Sequence, residues 1–175
     1  MNSNVPPIAD LIASATRSAV HLEMRDVYAV APENEQLAAW RASGRRNTDP
    51  DSAYWQGWSR IVRRAVARGV TVRRARIVSE PASEYVRFEH AGTPANLAAG
   101  EDVRWLPRRQ AAALALPGTD FWLFDHRLVR FGHFSGDGAV TGHELVDEPA
   151  VAELCSTAFE SVWERAVPHH AYALH

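Results

Sequence analysis

The densest group of chemically capable side chains lies in EPASEYVRFEH, where Glu80, Glu84, Tyr85, Arg87, Glu89 and His90 follow a strand-like run. Loops and helix starts at the carboxyl ends of sheet strands are where α/β folds place ligand groups. A phenol and a planar guanidinium fork there suit an anionic or aromatic ligand. Such a site requires Glu84, Tyr85, Arg87 and His90 to converge with Arg104 and with Asp125 or His126. The competing reading is an exposed helix carrying i, i+4 pairs, with Glu80 and Glu84 opposed by Arg87. A second polar group, Glu23, Arg25, Asp26 and Tyr28, reads as structural, with Arg25 pairing a carboxylate to hold the N-terminal segment on a sheet.

Arginines supply a different chemistry. All 19 basic residues are arginine and lysine is absent, a bias of high-GC genomes before it is a functional signal. Arg60, Arg64 and Arg68 recur at helical spacing, and Arg108 and Arg109 follow later. These five could contact phosphates or an acidic protein surface. A net charge of -2 argues against nucleic-acid binding over the whole surface. Aromatic residues interleaved for base stacking are missing, because the nearby tryptophans fall on an apolar stripe. Steep salt dependence is what a local nucleic-acid patch would show.

Other constellations are weak. His126, His133 and His143 stand on neighbouring strands and could meet His169 or His170, yet no ligand pair is fixed on one face, so no metal is expected. Ser135-Gly136-Asp137-Gly138 reads as a hairpin turn and not a phosphate cradle. Phosphate-loop and dinucleotide fingerprints are absent, so no cofactor is implied. Cys155 lies on an apolar helical stripe and reads as a buried structural thiol.

The elements that must position these residues are readable from periodicity. The 175 residues suffice for one domain, with residues 1–52 as N-terminal helices and a loop packed on an α/β core over residues 53–167. Ile8 to Val20 has the spacing of an amphipathic helix, and His21 to Val30 is a strand or an extended connection. A short helix follows around Glu33 to Ala42. Asp51 or Ser52 can cap a helix over Ala53 to Arg68, with Trp55, Trp58, Ile61, Val62, Ala65 and Val66 inward and Gly69 ending it. Val70 to Val78 reads as a strand, Pro81 to Leu97 as partly helical, and Val103 to Leu106 as a short strand.

From Asp120 onward the chain reads DFWLFDHRLVRFGHFSGDG. This describes a buried strand, a tight Asp-His turn, a return strand to Phe134 and a glycine-rich turn. Val140 to Val146 adds another strand. The final helix starts at Pro149, capped by Asp147 or Glu148, and ends at Pro168. Its stripe is Val151, Leu154, Cys155, Ala158, Phe159, Val162, Trp163 and Ala166. No apolar run approaches the roughly 20 residues of a membrane span. The opening MNSNVPPIAD lacks a secretory layout, so the cytoplasm is the expected location.

The segments HLEMRDVY, VRRARIVSEPASEYVRFEH, VRWLPRR, DFWLFDHRLVRF and FESVWERAVPH resemble an actinobacterial family, DUF6879. More distantly, Ala53 to Ala166 resembles one degenerate half of a phospholipase-D-like domain. That likeness implies a mixed sheet flanked by helices, and it implies a homodimer, because such halves pair. The catalytic motif of that superfamily sets a His two residues before a Lys, with an Asp five residues further on. Aligning Asp125 with the motif Asp puts Gly118 at the His position and Asp120 at the Lys position. Glycine has no nucleophile and aspartate repels phosphate, so that chemistry is not expected and no catalytic residue is assigned.

The expectation is therefore a non-catalytic regulatory or protein-interaction module. By family analogy its partner is a helix-turn-helix regulator. The alternatives are a small-ligand sensor or enzyme centred on Tyr85–His90 and Arg104, and nucleic-acid binding through the arginines.

Overall fold

The computed structural model describes residues 5–175, so the first four residues of the leader reading lie outside it. Its centre is a seven-stranded mixed sheet of order β6-β5-β4-β1-β2-β3-β7. The strands are β1 (Ser18–Glu23), β2 (Thr71–Val78), β3 (Asp102–Pro107), β4 (Phe121–Phe124), β5 (Leu128–Phe134), β6 (Val140–Val146) and β7 (Val167–Pro168). β1, β2 and β3 run parallel, and β4, β5 and β6 continue antiparallel from β1. β7 closes the other edge antiparallel to β3.

The helices are α1 (Ile8–Ser14), α2 (Asn34–Ser43), α3 (Gln56–Ala67), α4 (Glu84–Ala99), α5 (Arg108–Ala111) and α6 (Pro149–Arg165). Two-residue alternation sends Val20, Leu22, Ala75, Ile77, Phe121, Leu123 and Val129 to one sheet face. There they pack on Cys155, Phe159, Val162 and Trp163 of α6. Burial pushes the Cys155 thiol up to about 11, which keeps it protonated in this core. On the opposite face Ala19, Val72, Trp122 and Phe124 pack with α1 and α3 residues such as Leu11, Ile12, Val62 and Ala65. α4 covers the remainder of that face beside β3, where Val86 meets Val103 and Trp105.

Local chemistry sets the element ends. The Ser83 hydroxyl accepts the Val86 N–H at 3.1 Å and starts α4, and Gly100 at φ 101° ends it. Asp125 and His126 both take left-handed φ, 52° and 57°, which makes the β4–β5 connection a tight mirror-image turn. The Ser135–Gly138 turn joins β5 to β6.

Several expectations need correction. The first helix stops at Ser14, because Ala15 is extended and the amides of Thr16, Arg17 and Ser18 bind the Asp125 carboxylate. Ser18–Val20 therefore open a central strand, so the N-terminal segment enters the sheet itself. α3 begins at Gln56 without a side-chain cap, since Asp51 pairs with Arg63 instead. Val66 and Leu154, placed on buried stripes by spacing, are 41% and 48% exposed. No helix among the described residues is long and apolar enough to cross a membrane.

Candidate functional site

The sheet face under α4 carries polar groups where an apolar lining would be expected. By register His21 lies beside Arg74, and Glu23 beside Arg76. Across the other neighbour, His21 faces Trp122, which in turn faces Arg130. His143 follows opposite Gly132. Above this floor runs a cover formed by Tyr28, Val30 and Glu33 of the β1–α2 connection and by Tyr85 and Glu89 of α4. Floor and cover enclose a cavity of about 220 Å³, which Asp120 and Phe134 also line.

The charges are organised as a buried network. Arg74 bonds Glu23 and, at 2.6 Å, Glu101. Arg76 bonds Glu23 at 2.5 Å and also Glu89. Trp58 and Asn96 add hydrogen bonds to Glu101 at 3.0 and 2.8 Å. Burial opposes ionisation of Glu23, yet Arg76 and Arg74 overcome it and hold the carboxyl well below the usual range. Burial dominates at His21: it outweighs the pull of the Glu23 carboxylate, the arginines add to it, and the imidazole is lowered to about 3 and stays neutral. The ring stacks on Trp122 with centroids 4.3 Å apart.

Two carboxyls behave in the opposite sense. Burial raises Glu33 to about 7, and the negative charge of Glu89 pushes it the same way. Asp120 is raised to about 6 by burial, with a further push from Glu23. Each accepts a tyrosine hydroxyl: Tyr85 donates to Glu33 at 2.6 Å, and Tyr28 donates to Asp120. Asp120 also accepts the Met24 N–H at 2.9 Å. Both phenols are pushed upward by burial and neighbouring carboxylates, so they remain donors. The cavity thus holds two carboxyls shifted up towards neutrality, and shifted groups of this kind gather at ligand and catalytic sites as well as in structural ion-pair networks.

The anticipated ligand group does not assemble as one constellation. Tyr85 alone among those seven residues lines the cavity. Glu84 pairs with Arg41 at 2.6 Å on the surface. Arg87 is exposed on α4. His90 packs on Trp105 and His169 at the far side of α4. Arg104 points to the α6 face, donating to the Trp163 carbonyl at 3.2 Å. Asp125 and His126 sit in the turn at the other end of β4, where His126 contacts Ser156 at 3.0 Å. The i, i+4 alternative is not realised either, because Glu80 faces Arg109 and Tyr172.

Of the arginine group, Arg60 and Arg64 line a shallow recess on α3. Arg68 donates to carbonyls at the end of α1, and Arg108 to Met24, Ile77, Ser79 and Asp26. In the second polar group, Asp26 holds Ser79 and Tyr28 holds Asp120, whereas Arg25 lies over Phe134 and donates to the Ser135 carbonyl at 3.3 Å. Among the described residues no three His, Cys, Asp or Glu are arranged to hold a metal ion.

Sequence reasoning passed over His21, Glu33, Trp122 and Arg130, weighed His143 only as a metal ligand, and treated Asp120 only as the occupant of a motif position. The available signal was alternation: His21 and Glu23 on one strand, and Arg74 and Arg76 on the next, each two residues apart and so on one face.

The comparisons agree on family and fold. The family model described as "Domain of unknown function (DUF6879)" matches residues 7–174. No curated protein matches the sequence. Among solved structures the chain is similar to a phospholipase D family member, Nuc from Salmonella typhimurium. The TM-score is 0.50 at 15% identity, covering 91% of this chain and 86% of that one. It is also similar to TrmBL2, an archaeal chromatin protein, with a TM-score of 0.49 at 14% identity, covering 91% of this chain and 48% of that one. The fold is phospholipase-D-like.

Proposed function

The chain belongs to the DUF6879 family, and from the cavity within it we propose that this member is a non-catalytic regulatory module that binds a small polar molecule and passes its occupancy to a protein partner. The observation that carries this reading is the pairing of Glu33 and Asp120, two carboxyls with raised proton affinity, across one cavity of about 220 Å³. That volume is below the roughly 300–1,000 Å³ of pockets for drug-sized ligands. A metabolite fits the scale. Phosphodiester chemistry finds no support at the aligned positions: Gly118 offers no nucleophile, and Asp120 is engaged with Tyr28 and Met24. Ligand entry would disturb these same bonds and shift the cover segment, which is how binding would reach the surface.

The partner is proposed as a helix-turn-helix regulator in an actinobacterial cytoplasm, and a second copy of the chain is proposed as a further partner by resemblance to paired phospholipase-D-like halves. An acidic surface would suit the exposed arginines of α3. Nucleic acid is a poorer match for that face, because Arg63 is paired with Asp51 and Arg68 serves α1.

Thermal unfolding with a metabolite library tests the sensing role. At a hundred-fold excess over its Kd, a ligand should raise Tm by about 5–10 °C. Hydrolysis of bis(p-nitrophenyl) phosphate that disappears in Asp120→Asn would overturn the non-catalytic reading.

A further inference from the structure

The cavity carries incompletely matched groups of both signs. On the β5–β6 wall stand Arg130 and His143, opposite Trp122 and Gly132 respectively. The Arg130 Nε is buried without a hydrogen-bond partner, and none of the ion pairs found among the described residues engages this guanidinium. Burial without a paired acid lowers its proton affinity, the sign of a cation held at a cost. On the cover stand Glu33 and Glu89, and Asp120, just before β4, lines the same cavity from the sheet. Glu89 is satisfied by Arg76, whereas Glu33 and Asp120 are hydrogen-bonded by neutral donors alone, and the nearby charges of Arg76 and Arg25 do not overcome their burial.

Arg130 therefore lacks an anion, and Glu33 and Asp120 lack a directly bonded cation. A purely cationic ligand would satisfy Glu33 and Asp120 but leave the Arg130 Nε desolvated. A purely anionic ligand would satisfy Arg130 and meet two carboxyls. Only a molecule carrying both charges close together satisfies Arg130 and the two carboxyls, with Trp122 and Phe134 to cover its apolar part. Resting on the ligand-sensing reading, we propose that the cavity binds a small zwitterion of the free amino acid class. Its carboxylate lies on Arg130 and its ammonium between Asp120 and Glu33. The guanidinium fork suits a carboxylate in two-point contact.

The test uses the full chain, with thermal unfolding and titration calorimetry against the twenty common L-amino acids. Each amino acid that binds is compared with its N-acetyl derivative, its carboxamide and its decarboxylated amine. The expected result is binding by at least one amino acid, with each of the three derivatives at least tenfold weaker. Arg130→Gln should weaken the amino acid at least tenfold and leave the decarboxylated amine unchanged, and Arg130→Lys should restore part of the loss. Circular dichroism of the variants checks the fold. If Arg130→Gln fails to fold, the derivative series on the wild-type chain decides alone. Derivatives binding as tightly as the amino acid would overturn the zwitterion inference while leaving the sensing role intact. The same holds if only other molecules of the metabolite library bind. If nothing from either set binds at millimolar concentration, the sensing role falls with it.

Discussion

Tyr28 donates its hydroxyl to Asp120, and this contact joins the cover segment to the residue just before β4 in the lining of the cavity. The Met24 N–H on the same carboxyl makes Asp120 a two-point anchor for the chain leaving β1. Since the sheet order already places β4 beside β1, the anchor fixes only the direction of the connection.

Asp120→Ala should therefore leave a phenol and an amide unpaired at a largely buried position. A loss of about 1–3 kcal/mol is expected, measured by urea unfolding. Faster amide exchange should appear over the Met24–Val30 segment while the β1–β2 core stays protected. Uniform exchange would show that Asp120 does not hold the cover.

Glu33 supplies a pH signature whose sign can be worked out. Its folded affinity for protons is raised, from an ordinary value near 4.5 to about 7. The native state therefore holds a proton that the unfolded chain releases between these values. Its contribution is fully present below pH 4.5 and is lost as pH rises to 7. Asp120 acts in the same direction up to about 6. His21 and His169, lowered to about 3 and about 4, act oppositely, since acid favours the unfolded chain that can charge them. Total stability is thus a blurred readout, and the difference between wild type and Glu33→Gln is the clean one. The amide keeps an acceptor for Tyr85 and removes the titration. Relative to wild type, the variant should gain on the order of 1–2 kcal/mol between pH 5 and 8. A flat difference would mean that Glu33 titrates normally.

The buried network predicts an asymmetry between breaking and replacing. Glu23→Ala takes one of two carboxylate partners from each of the buried Arg74 and Arg76, which keep Glu101 and Glu89, and should cost about 3 kcal/mol, the lower end for a broken buried pair. Removing Arg76 at the same time should cost much less than the sum of the two single changes, because the charges left behind are fewer. A double-mutant cycle from denaturant curves measures this, and additive costs would dismiss the network.

Much of this architecture was legible in the chain. The β4–β5 hairpin was readable because Asp and His both tolerate left-handed backbone, and α6 because its stripe is long and ends in prolines. β1 was harder. Its face under α4 shows His21 and Glu23, which imitate a solvent-facing strand until the arginines of β2 are placed beside them. Parity explains the scattered site. Arg104 pairs in register with Ala75 and so shares the α6 face, while its neighbours Val103 and Trp105 face α4. Asp125 lies at the end of β4 near the start of β1, whereas Asp120 lies at the end near Glu23. Tyr85 was found because α4 follows the carboxyl end of β2, where ligand groups gather.

Gly138 tests how the cover is held from the opposite side. Its carbonyl accepts the Ala29 N–H at 3.0 Å, an isolated bridge between the cover and the β5–β6 turn. The residue has φ 90°, and a Cβ at this position would sit 2.9 Å from the Val27 carbonyl oxygen. Neither the backbone conformation nor the space admits a side chain, so Gly138→Ala must either twist the turn or push the cover away. Left-handed backbone alone costs about 1–2 kcal/mol for a residue with a Cβ. If the turn yields, exchange should quicken in β5 and β6 only. If the cover yields, it should quicken from Val27 to Glu33, and any cavity ligand should bind more weakly. The second outcome is expected, because the turn is fixed by Ser135 bonding Ala139 in both directions, whereas the cover holds this turn through one backbone bond and the Arg25 contact to Ser135.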